Sequence, residues 1–231
     1  MNTPKKNKFY MPAEWYPHKC CWMQWPYENP NHNSYGDVPS WSHFDFEKGR
    51  LAWANVAKSI SEFEKVKMIV HPNELKKAKN LLDSNIQIIE LKIDDCWARD
   101  SGAIFLLNDK NKLGGVDWEF NGWGKFQPFD SDNKIAKFMI ENSNASYFKN
   151  NMVLEGGSIH VDGEGTLLTT EQCLLNKNRN PNLSKREIEK NLKDYLGINK
   201  IIWLKNGTDE GTDGHVDNIA CFVKTGTVLA L

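Results

Sequence analysis

Apolar and polar positions alternate along the first part of the chain with the periods of helices and strands. A one-sided apolar stripe after residue 47 predicts an amphipathic helix. The stripe consists of Trp53, Val56, Ala57, Ile60 and Phe63. Residues 66–70 then predict a strand, residues 73–82 a short helix and residues 86–91 a buried strand. The residues up to about 42, rich in proline, asparagine and aromatic side chains, predict an irregular, well-packed lead-in.

A unit of helix, strand, polar loop and hairpin appears three times along the chain, beginning with the helix at residues 73–82. Its polar landmarks, Asp100, Glu155 and His215, are separated by 55 and 60 residues. The last of the three helices has a capping box, Ser184 with Glu187, and ends at Gly197. Such a recurrence predicts repeated supersecondary units that close into a ring or stack in a row. An ordinary α/β sheet with coincidental spacing is the alternative.

Composition narrows the class of protein. The 231 residues carry 29 Lys plus Arg against 30 Asp plus Glu, a formal net charge of -1. This composition is typical of a soluble globular protein, and the charge balance gives no basic stripe for binding nucleic acid. The length suits one large domain or two small ones, and we expect a single domain over residues 1–231. No apolar run approaches the roughly 20 residues that span a bilayer, and the N-terminus lacks the apolar segment of an export signal. We therefore expect no membrane partner and a cytoplasmic location.

The five cysteines offer no convincing nucleophile. They are Cys20, Cys21, Cys96, Cys173 and Cys221, with no C-x-x-C pair, so neither a disulfide framework nor a zinc ribbon is expected. Carboxylates around Cys96 should raise its thiol pKa, which disfavours the reactive thiolate. Cys173 and Cys221 alternate with apolar residues in predicted strands and are expected to be core residues. Cys20 and Cys21 are also expected to be packed.

The densest polar cluster is DDCWARDSG, residues 94–102. It combines Asp94, Asp95 and Asp100 with Trp97 and Arg99. Carboxylates accept forked hydrogen bonds from a guanidinium, and an aromatic face attracts a cation, so the cluster suits a planar cationic substrate. The alternative is a solvated loop in which Arg99 pairs with an aspartate of the same loop.

Two further clusters follow predicted strands. Glu155 precedes the paired Gly156 and Gly157, which would allow a close approach of backbone or ligand. His215 and Asp217, two residues apart on a strand-like segment, would share one face and could act on one substrate. A second His-x-Asp at residues 160 and 162 leaves a metal site as a minority alternative.

Five stretches together resemble one family. They are MPAEW with WMQWP near the start, DDCWARDSG, GGVDWEFNGWG, LEGGSIHVDGEGTLLTTEQCLLNKNRNP and TDGHVDNIACF. The chain resembles the agmatine deiminases of the guanidino-group-modifying superfamily, which includes arginine and peptidylarginine deiminases. The resemblance implies an α/β pentein fold, a pseudo-fivefold propeller of ββαβ modules, of which this chain would cover the first three to four.

The resemblance also implies roles for individual residues. Asp100 and Asp217 would bind the guanidinium, His215 would be the general acid and base, Glu155 would contribute to the pocket and Trp97 would pack against the substrate. A cysteine thiolate would attack the guanidinium carbon, releasing ammonia and then N-carbamoylputrescine for putrescine formation. No metal or other cofactor is implied. The partner would be a small guanidino molecule, agmatine, and a homo-oligomer is possible.

Two departures from the family pattern qualify this hypothesis. The family nucleophile lies in a Gly-Gly-Gly-x-x-His-Cys motif near the C-terminus, and this sequence lacks that motif. We therefore expect a catalytic domain that is C-terminally incomplete and inactive alone. Gly211 stands where agmatine-specific relatives carry an acid, although Asp209 or Glu210 could compensate. The alternatives are a deiminase for arginine or peptidyl arginine, a metal-dependent hydrolase using His160, Asp162, His215 and Asp217, or an inactive guanidinium-binding module.

Overall fold

The computed structural model describes residues 3–31, 45–125 and 128–231. Its strands are β1 Phe9–Tyr10, β2 Cys20–Gln24, β3 Lys65–Val70, β4 Gln87–Glu90, β5 Ile104–Asn108, β6 Leu113–Glu119, β7 Ser146–Val153, β8 Ile159–Val161, β9 Thr166–Thr170, β10 Lys200–Leu204, β11 Ala220–Lys224 and β12 Thr227–Ala230. Its helices are α1 Phe46–Ser61, α2 Leu75–Leu81, α3 Ala98–Ser101, α4 Gly122–Lys125, α5 Ile135–Asn142, α6 Glu171–Leu174 and α7 Lys185–Leu196. The sequence of alternating elements is thus confirmed.

The chain divides into two compact units, which are described separately. The smaller unit spans residues 17–98 and 125–132, and the larger unit has residues 1–16, 99–124 and 133–231. The sequence-based expectation of one catalytic domain over residues 1–231 stays a prediction.

The smaller unit contains a parallel sheet in the order β2-β3-β4. Strand β2 pairs with β3 from Cys20 with Lys65 to Gln24 with Ile69. The prediction of an irregular lead-in is wrong here, because β2 is a short strand whose partner lies more than 40 residues away in the sequence. The remainder of that predicted lead-in, residues 32–42, falls outside the described residues.

Helix α1 occurs where the apolar stripe predicts it, and Trp53, Ala57 and Ile60 of the stripe pack in or against the core of this unit, whereas Val56 is exposed. Asp45 caps the N-terminus by accepting a hydrogen bond from the Lys48 N–H at 3.1 Å. The buried positions are Gly49, Arg50, Ala54 and Ala57. Phe63 lies beyond the helix and is 89% exposed. The small residues allow close packing, and the buried Arg50 is neutralised by Glu74, with Nε 2.8 Å from Oε2.

The expected buried strand at residues 86–91 is β4, and it is only half-buried. Gln87 and Glu90 are exposed at its two ends. Among the described residues, strand β4 is the last strand of its sheet and has a neighbouring strand on one side. The core of this unit lies instead around α1, α2 and β3 and includes Trp25, Ala57, Met68, Val70 and Ala78.

The larger unit contains two complete ββαβ modules. The first consists of β5, β6, α5 and β7, and the second of β8, β9, α7 and β10. In each module the two hairpin strands are antiparallel, and the strand after the helix pairs in parallel with the second hairpin strand. The β11–β12 hairpin follows the second module. The recurrence inferred from the polar landmarks therefore corresponds to repeated modules.

Local signals fix the helix of the second module. The Ser184 side chain and Glu187 form the predicted capping box, and Gly197 ends the helix with a φ of 68°. A side chain on Gly197 would also meet the carbonyl oxygen of Phe9, 2.5 Å from its Cβ position. Ile188, Leu192 and Leu196 of α7 pack into the core of this unit.

No helix in the three described segments of the chain is both long and apolar enough to cross a membrane.

Candidate functional site

Three turns of the larger unit present the polar landmarks. Asp100 is in the short helix α3, ahead of the β5–β6 hairpin. Glu155 follows β7 and precedes a 3-10 turn at Gly156–Ser158. His215 precedes a similar turn at Val216–Asn218, ahead of β11. The expectation that His215 and Asp217 lie on one strand face is wrong, because this segment is a turn.

Gly157 is the point on which the three turns converge. A Cβ atom placed on Gly157 would lie 2.5 Å from His215 Nδ1, 2.6 Å from Asp217 Oδ2 and 2.9 Å from Asp100 Oδ1. These distances are shorter than a carbon can tolerate, so only glycine fits. The preceding Gly156 likewise faces the Arg99 carbonyl oxygen without room for a side chain. The glycine pair therefore allows Asp100 to approach His215 and Asp217.

Asp100 is held in place by both of its carboxylate oxygens. Oδ1 accepts a hydrogen bond from the Gly157 N–H at 2.9 Å, and Oδ2 accepts one from Trp123 Nε1 at 3.0 Å. Oδ1 also lies 3.8 Å from Nδ1 of His215. Asp100 is only 8% exposed, so its charge acts on the imidazole with little screening by water.

Glu155 is completely buried and bound to an arginine. Arg179 Nε donates to Glu155 Oε1 at 2.6 Å, and Arg179 Nη1 donates to Asp213 Oδ2 at 2.6 Å. Arg179 Nη2 also donates to the carbonyl oxygen of Thr212 at 3.2 Å. Burial alone would raise the pKa of Glu155, but His215 and Arg179 lower it. Arg179 thus ties Glu155 to the loop that carries His215.

His215 is charged despite being buried. Burial is the largest single effect and opposes the imidazolium, but Asp100, Cys173 and Glu155 together outweigh it and raise the pKa of His215 to about 11. Nε2 of His215 lies 3.9 Å from Glu155 Oε2 and makes no hydrogen bond to any of the described residues. The imidazole is therefore protonated at neutral pH and has one unsatisfied buried nitrogen.

Asp217 is an exposed residue whose Oδ2 nevertheless reaches the buried junction at Gly157. Partial burial of the carboxyl group raises the pKa of Asp217. The positive charge of His215 lowers this pKa and the negative charge of Asp100 raises it, and the net result is a raised pKa. Asp217 therefore places a second carboxylate beside Asp100 at the open side of the cluster.

Cys173 is buried, as the sequence predicts, but it lies in a helix rather than in a strand and it belongs to this cluster. It is in helix α6, whose N-cap is Thr170, and it is fully buried. Its Sγ is 4.0 Å from Glu155 Oε2. Burial raises the pKa of Cys173, so its thiol is not activated as a nucleophile. For Cys96, burial and then Asp95 raise the thiol pKa well above its ordinary value, which confirms that expectation.

The acidic loop of residues 94–102 is divided between the two units. Trp97 belongs to the smaller unit, where it is 41% exposed and meets Trp53 edge-on at a centroid distance of 5.7 Å. Arg99 belongs to the larger unit and pairs with Glu14 at 2.5 Å rather than with an aspartate of its own loop. The structure therefore brings together Asp100, Glu155, His215 and Asp217, whereas Trp97 belongs to the other unit.

The geometry gives the metal-hydrolase alternative no support. His160 Nε2 faces Glu14 at 3.2 Å, and its Nδ1 accepts from the Phe222 N–H. Asp162 Oδ1 accepts from the backbone N–H groups of Glu164 and Thr166, as expected for a hairpin turn. Within the described residues, the group with metal-binding spacing is a different one and contains neither His160 nor Asp162.

Sequence reasoning missed Arg179, Trp123 and the position of Cys173. Arg179 and Cys173 lie in the long stretch from residue 154 to 181 that carries the resemblance, but a single arginine in a polar segment is indistinguishable from a surface residue. Trp123 lies in the NGWG stretch, where its φ of 51° is unusual for a tryptophan. Tryptophan flanked by glycines is the one local signal that could have indicated such a position.

Comparisons with known proteins agree with this arrangement. The profile of the Porphyromonas-type peptidyl-arginine deiminases matches residues 10–231. The chain belongs to this family. Among family relatives, a putative agmatine deiminase of Legionella pneumophila is 50% identical over 100% of this chain and 65% of its own length. The agmatine deiminase of Pseudomonas aeruginosa is 47% identical over 99% of this chain and 61% of its own length.

Solved structures show that the fold is that of the family. The agmatine deiminase of Enterococcus faecalis superposes with a TM-score of 0.88 at 40% identity, covering 100% of this chain and 62% of that one. A C. jejuni agmatine deiminase with substrate bound gives a TM-score of 0.82 at 31% identity over 96% of this chain and 64% of that one. The expected pentein fold is confirmed for these residues, and the chain spans less than two thirds of the length of these relatives.

Proposed function

We propose that this chain supplies the guanidinium-binding and acid–base groups of an agmatine deiminase. The reaction would convert agmatine and water into N-carbamoylputrescine and ammonia. The observation that carries the proposal is the convergence of His215, Asp217 and Asp100 on Gly157. Agmatine is proposed as the substrate because the relatives are named agmatine deiminases, and the acid–base chemistry is proposed from the residues of the site.

Two carboxylates of unequal exposure suit a planar cation. Asp100 is buried and fixed by Gly157 and Trp123, whereas Asp217 is exposed as a residue and close to it. A guanidinium held by both would be fixed in its plane, and charge-assisted hydrogen bonds are the strongest that such a ligand can make. Its delocalised charge makes the carbon a poor electrophile, so fixed orientation contributes to reactivity.

His215 is suited to protonate the departing nitrogen. Its pKa of about 11 keeps it protonated at neutral pH, so it can give a proton to the leaving ammonia and later remove one from the attacking water. Glu155 favours this charge from 3.9 Å away, and Arg179 holds Glu155 in position. In this scheme Glu155 acts through His215, because one of its oxygens is already bound to Arg179.

The nucleophile would come from outside these 231 residues. A thiolate would add to the guanidinium carbon, ammonia would leave with the proton from His215, and water would then release the thiol. Cys173 is buried beside Glu155 with a raised pKa, so it does not meet the requirements of this step. We therefore expect the chain by itself to bind agmatine without turning it over.

Calorimetry with three ligands tests the binding. Agmatine is expected to bind, whereas putrescine, which has an amine in place of the guanidinium, is expected not to. Absence of agmatine binding by the folded chain would overturn the proposal. Ammonia release from agmatine at a catalytic rate would instead refute the claim that the nucleophile lies outside these residues.

Arginine is the third ligand, because the far end of the substrate is the least defined part of the site. Gly211 is exposed and carries no acid, and Asp209 is bound to the Gly211 N–H at 3.2 Å and to Thr212 Oγ1 at 2.6 Å. Glu210 is exposed and available for an amine. Tighter binding of arginine or a peptidyl arginine than of agmatine would change the substrate and keep the guanidine chemistry.

The wider setting follows from the substrate. With agmatine as its substrate, the enzyme would serve putrescine formation in the cytoplasm and would assemble as a homo-oligomer. The role of Trp97 stays a prediction of the family resemblance, since Trp97 belongs to the smaller unit.

A further inference from the structure

Three buried side chains of different chemistry face one another on the inner side of His215. Glu155, Cys173 and His215 each offer one ligand atom, and these atoms all lie within 4.8 Å of one another. Glu155 Oε2 is 4.0 Å from Cys173 Sγ and 3.9 Å from His215 Nε2. The relative exposures are 0% for Glu155 and Cys173 and 2% for His215. A thiol, an imidazole and a carboxylate are the ligand types of zinc sites.

His215 Nε2 gives a second, independent observation. It is buried and makes no hydrogen bond among the described residues, although a buried polar atom without a partner is costly. The other ring nitrogen, Nδ1, faces Asp100 Oδ1 at 3.8 Å. Metal-binding histidines commonly have a carboxylate behind the far nitrogen, and Asp100 has that position here as a charged neighbour at a distance too long for a hydrogen bond.

Arg179 and Asp213 make the site compatible with a cation. Arg179 binds Glu155 through Oε1 and so leaves Oε2 directed at Cys173 and His215. The charge of Arg179 is offset by Asp213, 2.6 Å from Nη1. Bond lengths of about 2.0 Å to nitrogen and oxygen and about 2.3 Å to sulfur would require the ligand atoms to approach by about half an ångström.

We propose that Glu155, Cys173 and His215 form a binding site for a soft divalent ion such as zinc, with the fourth coordination position open. The ion would displace one proton from the thiol and one from the imidazole to solvent, so the total charge of the cluster would not change. Sulfur and nitrogen ligands favour zinc, cobalt or cadmium over magnesium and calcium. The bound ion would be coordinated by Nε2 of His215.

One consequence rests on the proposed function, namely that zinc inhibits the site. A metal-bound His215 is neutral and cannot give a proton to the leaving ammonia, and its charge no longer balances Asp100. Metal binding itself does not depend on the proposed function. The two proposals can therefore fail separately.

Cobalt titration of the metal-free 231-residue chain tests the site directly. A thiolate bound to cobalt gives an intense near-ultraviolet charge-transfer band, which an oxygen-only site does not give. The band is expected in the parent chain and is expected to disappear on addition of zinc but not of magnesium. Absence of the band, or its persistence in excess zinc, would overturn the proposal.

Cysteine variants identify the ligand. Cys173→Ser keeps the size of the side chain and is expected to lower zinc affinity more than about tenfold, since a thiolate ligand is lost. Cys221→Ser, which changes a half-buried cysteine of strand β11, is the matched control and is expected to bind zinc like the parent. Equal affinity of the parent and Cys173→Ser, or an equal loss in both variants, contradicts the proposed site.

His215→Gln gives a second approach if Cys173→Ser does not fold. It removes the imidazole ligand and is expected to abolish the cobalt band, while circular dichroism checks that the fold is retained. A band of unchanged intensity in folded His215→Gln would overturn the proposal. The affinity of the parent chain for agmatine is then measured by calorimetry with and without zinc. If zinc does not bind, agmatine binding is unchanged, so the zinc proposal can fail while the proposed function stands.

Discussion

The acidic loop of residues 94–102 supplies carboxylates to both units, and they have different partners. In the smaller unit, Asp94 Oδ2 accepts from the N–H groups of Ser131 and Asp132, and Asp132 accepts from the N–H groups of Asp94 and Asp95. In the larger unit, Asp100 faces the imidazole of His215, and Glu155 is bound by Arg179. The first set is bound mainly by backbone and the second mainly by side chains.

The difference indicates which carboxylates are structural. Backbone N–H groups bind Oδ2 of Asp94 and both carboxylate oxygens of Asp132 and so join two segments of the chain. Burial and then the charge of Asp95 raise the pKa of Asp132 well above its usual value. Side-chain partners at the other cluster instead preserve charge, since Glu155 has a lowered pKa and His215 a raised one. Charge kept inside a protein is costly, so a buried cluster whose pKa values favour the charged forms is a candidate functional site.

The largest expected effect comes from Gly157→Ala. The added methyl would overlap His215, Asp217 and Asp100, so the three groups must separate. Agmatine binding is expected to fall below detection, and the free energy of unfolding to decrease by about 1–3 kcal/mol because the site is overpacked. Gly211→Ala is the control for the free energy of unfolding only: it is exposed, and its added Cβ has Asp209 Oδ1 as its closest neighbour at 3.5 Å. Undiminished agmatine affinity in Gly157→Ala would show that the convergence is not the binding site.

Arg179→Met tests the side-chain-bound cluster by removing its cation. Glu155 and Asp213 would each lose a partner at 2.6 Å, and Glu155 would remain buried. Breaking a buried pair in this way costs about 3–5 kcal/mol of unfolding free energy. Urea unfolding measures the loss.

Lys190→Met is the matched control for Arg179→Met. Lys190 also has a carboxylate at 2.6 Å, Asp194, but on the exposed face of α7. Its removal is expected to cost about 0.3–0.5 kcal/mol, as is usual for exposed pairs on a helix. Equal losses in the two variants would mean that burial does not distinguish the pairs.

Features that depend on neighbouring residues can be predicted from this sequence, whereas contacts between residues far apart in the sequence cannot. The capping box at Ser184, the C-cap at Gly197 and the module recurrence depend on neighbouring residues, so the pattern predicts them. The contact of Arg179 with Glu155 spans 24 residues, and that of Cys173 with Glu155 spans 18. No local pattern encodes such contacts. The pattern of polar residues after predicted strands indicates Asp100, Glu155 and the pair His215 and Asp217, and the family resemblance implies their roles; the structure places Asp217 in a turn that follows His215.

Asp100→Asn and Asp94→Asn compare one residue from each cluster. Asp100→Asn removes the charge that faces His215 and the substrate, and is expected to weaken agmatine binding by about 1.5–3 kcal/mol, the usual loss for a charge-assisted hydrogen bond. Asp94→Asn is expected to leave agmatine affinity unchanged, since Asp94 Oδ2 accepts from backbone groups of the smaller unit. Calorimetry on both variants decides, and equal losses would remove the distinction between the clusters.

The smallest effect is expected for Glu14, a half-exposed carboxylate that also has side-chain partners. Its hydrogen bond with His160, with a further contribution from Arg99, lowers the pKa of Glu14 to about 2 against the opposing effect of burial. A lowered pKa in the folded state means that the stabilisation is complete above the ordinary value of 4.5 and is lost as the pH falls towards 2. Glu14→Gln is therefore expected to narrow the stability difference between pH 5 and pH 3, by less than about 1 kcal/mol because solvent screens the group. Urea midpoints at several pH values measure it, with the exposed Glu62→Gln as control. If the stability difference between pH 5 and pH 3 were larger in Glu14→Gln than in the parent, the direction of the pKa shift of Glu14 would be contradicted. The side-chain partners would then not keep this carboxylate charged.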